Sequence, residues 1–144
     1  MAKELPKQVI DLFNDPQAVK VLATHSAASM HVVPLGSLFA PAPNVLVYGR
    51  GVANKETHEN LLKARQSGEL VSALAVKGPL AYQVRCHAKD YATSGPALEV
   101  IRQRLRPLAD QMKMNVNDLI VGVWTLEPVA VISQGLGPNA GKPM

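Results

Sequence analysis

The sequence has few of the residues from which disulfides and metal cages are built. Cys86 is the only cysteine among 144 residues, which excludes an intrachain disulfide and any cage made from several cysteines. Its expected role is that of a small buried thiol. The four histidines, His25, His31, His58 and His87, stand apart without metal-ligand spacing, so no metal site is expected.

Aromatic residues are also scarce, at 4% of the chain, and the net charge is a mild +4. Proteins that bind single-stranded nucleic acid usually combine clustered cations with aromatic stacking platforms. The densest basic stretch, residues 102–106, falls on a predicted helix, where successive side chains point in different directions and a solvated face is the ordinary role. This composition suits an anionic small-molecule ligand, and we expect no nucleic-acid partner.

Long hydrophobic runs are absent too. The longest, such as residues 119–123, are far too short to span a membrane, and residues 1–6 contain no apolar signal core. We therefore expect a cytoplasmic location without membrane attachment. A hydrophobic content of 47% suits one globular domain, assigned here to residues 1–134. The tail, residues 135–144, contains three glycines and two prolines and is expected to be flexible.

Short β-prone runs separated by glycine, proline and small residues dominate the pattern. Six strands are predicted at residues 19–24, 30–35, 44–48, 70–76, 81–91 and 119–132. Helices are predicted from Pro6 to about residue 14, from Lys55 to about residue 66, and from about residue 96 onward, the last kinked or split at Pro107. This order does not alternate as βαβ. It favours a mainly β fold, a small closed or partly closed antiparallel barrel with peripheral helices at its rim.

The most informative run is residues 49–61, where a β-prone segment turns into a helix. Gly49 and Gly51 fit the turn, and the helix start supplies unpaired N–H groups and the positive end of a dipole. Arg50, Lys55 and Thr57 add cationic and hydroxyl donors. We interpret the run as a phosphate cradle, with a solvated turn as the alternative.

Two familiar phosphate loops do not fit this run. A P-loop needs Gly-Lys followed by Ser or Thr, whereas the one Gly-Lys pair, at residues 141–142, is followed by Pro143. A dinucleotide fingerprint needs a third glycine where Asn54 stands and an acidic residue after the next strand, where Lys77 stands. Lys77 would suit a phosphorylated ribose, so the dinucleotide alternative is weakened and stays open.

The order of elements and the run Lys55-Glu56-Thr57-His58-Glu59-Asn60-Leu61 resemble the FMN-binding split-barrel superfamily, which includes pyridoxamine 5′-phosphate oxidase and small bacterial FMN-binding proteins. Residues 21–24 and 31–34 are similar to the opening hairpin of that family. Residues 47–49 and the Lys-x-Thr-x-x-Asn-Leu run are similar to its flavin-phosphate segment, and residues 81–96 to the long strand that leads into its last helix. The resemblance covers residues 19–131 and implies a six-stranded antiparallel split β-barrel with FMN as its cofactor.

Position by position, the resemblance also implies where FMN would bind. Lys55 and Thr57 would meet the phosphate, supported by the turn at residues 49–51 and by Arg50, and Asn60 would hold the helix start or touch the ligand. The ring-contacting positions would lie on two strands: His31, Val32, Val33, Pro34 and Leu35, and Val47, Tyr48 and Gly49. Val32 and Val33 fit an ordinary strand core equally well, and both roles are compatible.

Members of the family are homodimers with FMN at the subunit interface, and the resemblance implies the same here. A dimer would also cover strand edges that a small barrel exposes. Trp124 is then a candidate for the partner side of the flavin site, or equally a residue of the core or of the dimer contact.

The implied activity is electron transfer or oxidation-reduction through the bound flavin, with a redox partner protein or a small-molecule substrate. An FMN-dependent NAD(P)H oxidoreductase is the first alternative, and a non-catalytic flavin- or nucleotide-binding regulatory module is the second. No catalytic residue is assigned, because the flavin itself carries the redox chemistry. The chain lacks the C-terminal Arg-Leu-x-Pro ending of pyridoxamine 5′-phosphate oxidases, which argues against vitamin B6 oxidation and leaves enzyme and electron carrier both open.

Overall fold

The computed structural model describes residues 2–144, which form eight strands and four helices. The strands are β1 Val19–His25, β2 Met30–Pro34, β3 Leu38–Ala42, β4 Val45–Gly51, β5 Val71–Lys77, β6 Leu80–Ala92, β7 Ile120–Ser133 and β8 Lys142–Pro143. The helices are α1 Lys7–Asn14, α2 Lys55–Ser67, α3 Pro96–Gln111 and α4 Val116–Leu119. Within these residues no helix is both long enough and apolar enough to cross a membrane.

The strands make one sheet in the order β2-β1-β5-β6-β7-β4-β3, with β8 beside β7, and all neighbours are antiparallel. The long strands β6 and β7 shift register twice along their pairing, and such bulges bend a sheet. The end strands β2 and β3 do not pair with each other within residues 2–144, so the sheet is not closed. The predicted mainly β, antiparallel architecture with peripheral helices is confirmed.

The prediction of six strands is wrong, because the sheet of residues 2–144 has eight. All six predicted runs are strands, and β3 and β8 are additional. β3 contains Pro41, which made this stretch look like a link between strands. It pairs only with β4, and a proline is tolerated there because an edge strand needs no N–H donor on its outer side.

The chain end adds the short strand β8. The Gly141 N–H donates to the Ser133 carbonyl at 2.6 Å, and the Met144 N–H donates to the Val131 carbonyl at 2.8 Å. These bonds join the segment 135–144 to β7. The flexibility of this segment stays a prediction, as does the domain boundary after residue 134.

Helix α3 continues through Pro107 as one helix, so of the predicted kink or split at this proline the split is wrong. Its buried residues Leu98, Ile101 and Ala109 lie on both sides of the proline.

Side-chain alternation along β4 separates two hydrophobic cores. Leu46 and Tyr48 face the main core, together with the buried side of α2. Val47 faces the opposite side and joins a second core under α3. Gly49 points the same way as Val47, and a Cβ atom added to it would lie 2.7 Å from Ile101 Cγ2. Glycine at this position therefore lets α3 pack closely against β4.

Gly49→Ala is expected to destabilise the fold, because Ile101, Ile120 or Ser37 would have to move to accommodate the methyl group. Overpacking of this kind typically costs about 1–3 kcal/mol. Gly36→Ala is the matched control, since no atom lies within 4 Å of a Cβ added there. Urea unfolding followed by circular dichroism measures both free energies of unfolding. Equal losses in the two variants would contradict the packing argument.

Candidate functional site

The start of α2 lies against the end of β4. Residues 52–54 connect the two elements, and the N-cap residue Asn54 makes no capping hydrogen bond with its side chain. Because the first turn of a helix leaves backbone N–H groups without helical partners, this end of α2 has donors to offer. Its buried face is formed by residues at helical spacing: Thr57, Asn60, Leu61 and Ala64.

Three buried polar atoms near this junction have no hydrogen-bond partner among residues 2–144: Tyr48 Oη, Arg50 Nε and Thr57 Oγ1. Tyr48 and Arg50 are two residues apart on β4 and so share one face of the strand. Burial raises the pKa of Tyr48 to about 12, against the opposing influence of the Arg50 charge and of the Asn54 side-chain amide, which approaches the hydroxyl without meeting hydrogen-bond geometry, so the hydroxyl remains a donor at neutral pH. Unpartnered buried donors are uncommon in native proteins and require an explanation.

An aromatic cluster adjoins these donors. The rings of His58, Tyr91 and Trp124 lie 4.5–5.6 Å apart between centroids. Trp124 Nε1 donates to His58 Nδ1 at 3.0 Å, so the neutral histidine carries its proton on Nε2. Arg50 Nη1 donates to Tyr91 Oη at 3.4 Å, and this contact connects the cluster with β4.

The environment of His58 favours its neutral form. Burial lowers the pKa of His58, and the nearby charges of Arg50 and Arg65 lower it further, while Glu59 acts in the opposite direction. A protonated imidazole has no acceptor nitrogen and would lose the hydrogen bond from Trp124. The neutral histidine therefore serves as an acceptor within the aromatic cluster.

The three predicted site residues of α2 occupy different environments: Lys55 and Thr57, predicted to meet the phosphate, and Asn60, predicted to hold the helix start or touch the ligand. Thr57 is fully buried, whereas the Lys55 side chain is 78% exposed, with its ammonium 4.0 Å from Glu59 Oε1. Asn60 is also buried, and its Nδ2 donates to Thr24 Oγ1 at 3.1 Å, which ties α2 to β1. Of these three side chains, only Thr57 is both buried and without a partner.

The predicted residues of β2 are divided between the two faces of the sheet. His31 Nδ1 lies 2.9 Å from Glu56 Oε2 at the start of α2, and Val33 packs against the main core. Val32 points the other way, is 60% exposed and lines a groove on the outer face of the sheet. The five predicted ring contacts on this strand and its following loop therefore do not form one surface.

Pro34, Leu35 and Gly49 do come together, in a cleft of about 250 Å³ between the end of β4 and α3. The cleft walls are mainly apolar and include Leu105 and Ile120. The predicted turn at residues 49–51 is wrong, because these residues belong to β4 and the turn follows at residues 52–53. The end of β2 with its loop and the end of β4 thus line one apolar cleft next to the start of α2.

The two remaining predicted contacts lie in the cores. Val47 is buried under α3, and Trp124 is fully buried in the main core. Tyr91 and His58, the residues that surround Trp124, were not predicted as site residues. Tyr91 stands opposite Trp124 in the β6–β7 register. No sequence motif predicts that pairing, because it depends on two register shifts between strands that are far apart in the sequence.

Comparison with solved structures identifies the fold. HupZ of Group A Streptococcus superposes with a TM-score of 0.69 at 18% identity, covering 95% of this chain and 99% of its own. An FMN-binding protein from Syntrophomonas wolfei subsp. wolfei gives 0.71 at 12% identity, covering 90% and 85%. An F420 reductase gives 0.61 at 14% identity, covering 88% and 98%. No protein-family model matches the sequence, and no curated protein is detectably similar to it.

At these identities the comparisons establish the fold and nothing finer. The chain has a split-barrel-like fold shared with FMN-binding, F420-reducing and HupZ proteins, so the resemblance inferred from the sequence is confirmed at that level. The number of strands and the open sheet are the corrections to that inference.

His58→Asn is expected to reduce the loss of unfolding free energy that occurs when the pH is lowered. The folded state holds the pKa of His58 below its ordinary value of 6.5, so the unfolded chain binds more protons as pH falls through that value, and stability is lost. Asparagine keeps a side-chain acceptor and does not titrate. Urea midpoints at about pH 7.5 and about pH 5.5, read from Trp124, the only tryptophan, measure the difference.

The control is His87→Asn, which removes a histidine on β6 outside the aromatic cluster and should leave the wild-type slope unchanged. If His58→Asn loses as much stability on acidification as the wild type, the assignment of a neutral His58 is wrong.

Proposed function

We propose that this protein binds an FMN-type flavin and acts in electron transfer or oxidation-reduction through it. The observation that carries the proposal is the set of unpartnered buried donors, Tyr48 Oη, Arg50 Nε and Thr57 Oγ1, at the junction of β4 and α2. Phosphate oxygens accept hydrogen bonds from all three groups, and a helix start favours an anion. The donor set therefore fits the phosphate of a mononucleotide.

In this arrangement Arg50 and Thr57 would hold the phosphate, and Tyr48 would add a neutral donor. Lys55, which is exposed, would contribute a positive charge, screened by water and salt, at the edge of the phosphate site. The neighbouring apolar cleft beside Leu35 and Leu105 suits the flat ring of a flavin. When bound, a flavin supplies hydride and electron transfer, and the protein supplies binding and orientation.

The fold comparisons support the class of cofactor by analogy only. One similar structure is an FMN-binding protein and another is an F420 reductase, both of which carry the same fold at low identity. The cytoplasmic location and the redox partner stay predictions from the sequence. Reduction of the bound flavin by NAD(P)H alone would favour the oxidoreductase alternative over an electron carrier, and flavin binding without any reduction would favour the regulatory module.

We also propose a homodimer that uses the outer face of β1 and β2. Val19, Met30 and Val32 are exposed there by 58%, 71% and 60%, and a groove of about 400 Å³ between Val21 and Leu74 lies on the same side. Contiguous exposed apolar surface is typical of protein contacts. A second copy of the chain would cover this face and the free edge of β2.

Val32→Glu is expected to convert the dimer to a monomer, because it would place a charge in an apolar contact. Light scattering coupled to size exclusion measures the mass. Val52→Glu is the matched control, since Val52 is equally exposed, by 59%, and lies in the β4–α2 turn. A wild-type protein that elutes as a monomer at all concentrations would rule out the proposed dimer.

Thr57→Val is expected to change cofactor binding and stability in opposite directions. It removes a buried hydroxyl without a partner, a group that costs about 1–3 kcal/mol, so the ligand-free protein should become more stable. The same change removes a donor to the phosphate, and FMN affinity should fall by about tenfold. Thermal unfolding and quenching of flavin fluorescence measure the two effects.

Thr24→Val is the matched control, because its buried hydroxyl does have a partner, Asn60 Nδ2. It should lower stability and leave FMN affinity unchanged. Riboflavin, which lacks the phosphate, should bind wild type and Thr57→Val equally. Unchanged FMN affinity in Thr57→Val would place the phosphate elsewhere.

A further inference from the structure

A second cleft, larger than the one beside the start of α2, is lined by none of the residues that carry the three unpartnered donors. It has a volume of about 540 Å³ and opens between the end of α1, the start of β1, the β2–β3 loop and α3. Its size is typical of sites for small organic ligands. Val19, Leu35 and Leu105 provide apolar walls, and Lys20 and Arg104 are its two charged side chains.

Lys20 is unusual among the lysines because it faces inward. It lies on the same face of β1 as Leu22 and Thr24, which are buried, and it is itself only 7% exposed. Within residues 2–144 its ammonium makes no hydrogen bond or ion pair. Burial, and next the charge of Arg104, lower the pKa of Lys20, while the Asp15 carboxylate acts in the opposite direction. The cost of holding this cation would fall if an anion bound beside it.

Arg104 supplies the second cation. Its guanidinium lies 4.2 Å from the centroid of the Phe39 ring and forms no ion pair within residues 2–144. The nearby polar groups are already used: Asp15 Oδ2 accepts from Lys77 Nζ at 2.6 Å, and the Asn14 amide makes two hydrogen bonds with the backbone of Ala40. Two positive charges therefore face one cleft whose lining contains no carboxylate, and Asp15, which is paired with Lys77, offsets part of the Lys20 charge from outside that lining.

We propose that this cleft binds a small organic anion whose phosphate or carboxylate lies between Lys20 and Arg104 and whose apolar body contacts Val19, Leu35 and Leu105. An arginine fork with a neighbouring ammonium is a strong recognition pair for such oxygens. The cleft shares Leu35 and Leu105 with the apolar cleft near the α2 start, so the two are continuous. The proposal does not depend on flavin binding.

The probes are phenyl phosphate, benzoate, inorganic phosphate and benzyl alcohol, titrated into the flavin-free protein at low salt and followed by calorimetry and amide chemical shifts. Phenyl phosphate and benzoate should bind and shift amides of β1 and α3. Inorganic phosphate should bind more weakly, because it lacks the apolar body, and benzyl alcohol should not bind measurably. Absence of binding by both aromatic anions would overturn the proposal, and equal binding of inorganic phosphate would overturn its apolar part.

Lys20→Met and Arg104→Leu should each weaken phenyl phosphate binding by tenfold or more. Because Lys20→Met removes a buried charge without a partner, it should not lower the thermal midpoint, which separates lost binding from misfolding. Arg106→Leu on α3 and Lys89→Met on β6 are matched controls and should bind like the wild type. In Thr57→Val, phenyl phosphate should still shift the amides of β1 and α3, because those shifts report the cleft beside Lys20 and Arg104.

If Thr57→Val loses phenyl phosphate while Lys20→Met retains it, the anion binds at the start of α2 and this inference is wrong. Retained FMN affinity in Lys20→Met, beside lost phenyl phosphate affinity, would show that Lys20 serves the small-anion cleft and not the FMN phosphate.

Discussion

The buried face of α2 is fixed by Leu61 and Ala64 in the main core and by one buried hydrogen bond, from Asn60 Nδ2 to Thr24 Oγ1 on β1. Both side chains are almost completely excluded from water, so breaking the bond would leave two unpaired polar groups inside the protein. Thr57 lies three residues earlier on the same helix face and is therefore directed inward as well. A threonine on a helix with freer rotation would turn its hydroxyl to solvent. Here that hydroxyl is held where no residue among 2–144 forms a hydrogen bond with it, which is the position that we propose for the phosphate.

Residues 47–50 look like one continuous binding segment in the sequence, but within β4 they face opposite sides of the strand. Tyr48 and Arg50 face α2 and the aromatic cluster, while Val47 and Gly49 face α3, because side chains alternate along a strand. The glycine that suggested a phosphate turn makes room for Ile101 instead. The polar donors and the apolar cleft thus lie on opposite faces of β4. They are adjacent only at its end, where residues 51–54 line the cleft and lead into α2. A ligand with a charged group and a flat apolar body matches that division.

Periodicity alone predicted most of the fold, since six strands and three helices have clear local patterns. β3 was missed because Pro41 is a breaker signal unless the strand is known to lie at an edge, which only the tertiary structure decides. Thr57 and Arg50 could be selected from the sequence as donors at a helix start. The contact of Trp124 with Tyr91 could not, since it depends on the register shifts between β6 and β7 that bring Tyr91 opposite Trp124. Lys20 did carry a local signal, a charge at an inward position of an alternating strand.

The net charge of +4 does not identify which cations bind a ligand, because that depends on how deeply each cation is buried. Lys55 is an exposed cation that water and counterions satisfy, and Lys77 and Lys89 are paired with carboxylates, so none of these requires a ligand. Lys20 differs because it is 7% exposed and makes no ion pair, so little water surrounds its charge and only the neighbouring Asp15 offsets it. The buried Nε of Arg50 likewise has no partner. Burial therefore separates Lys20 and Arg50 from Lys55, Lys77 and Lys89, and each belongs to one of the anion sites proposed above.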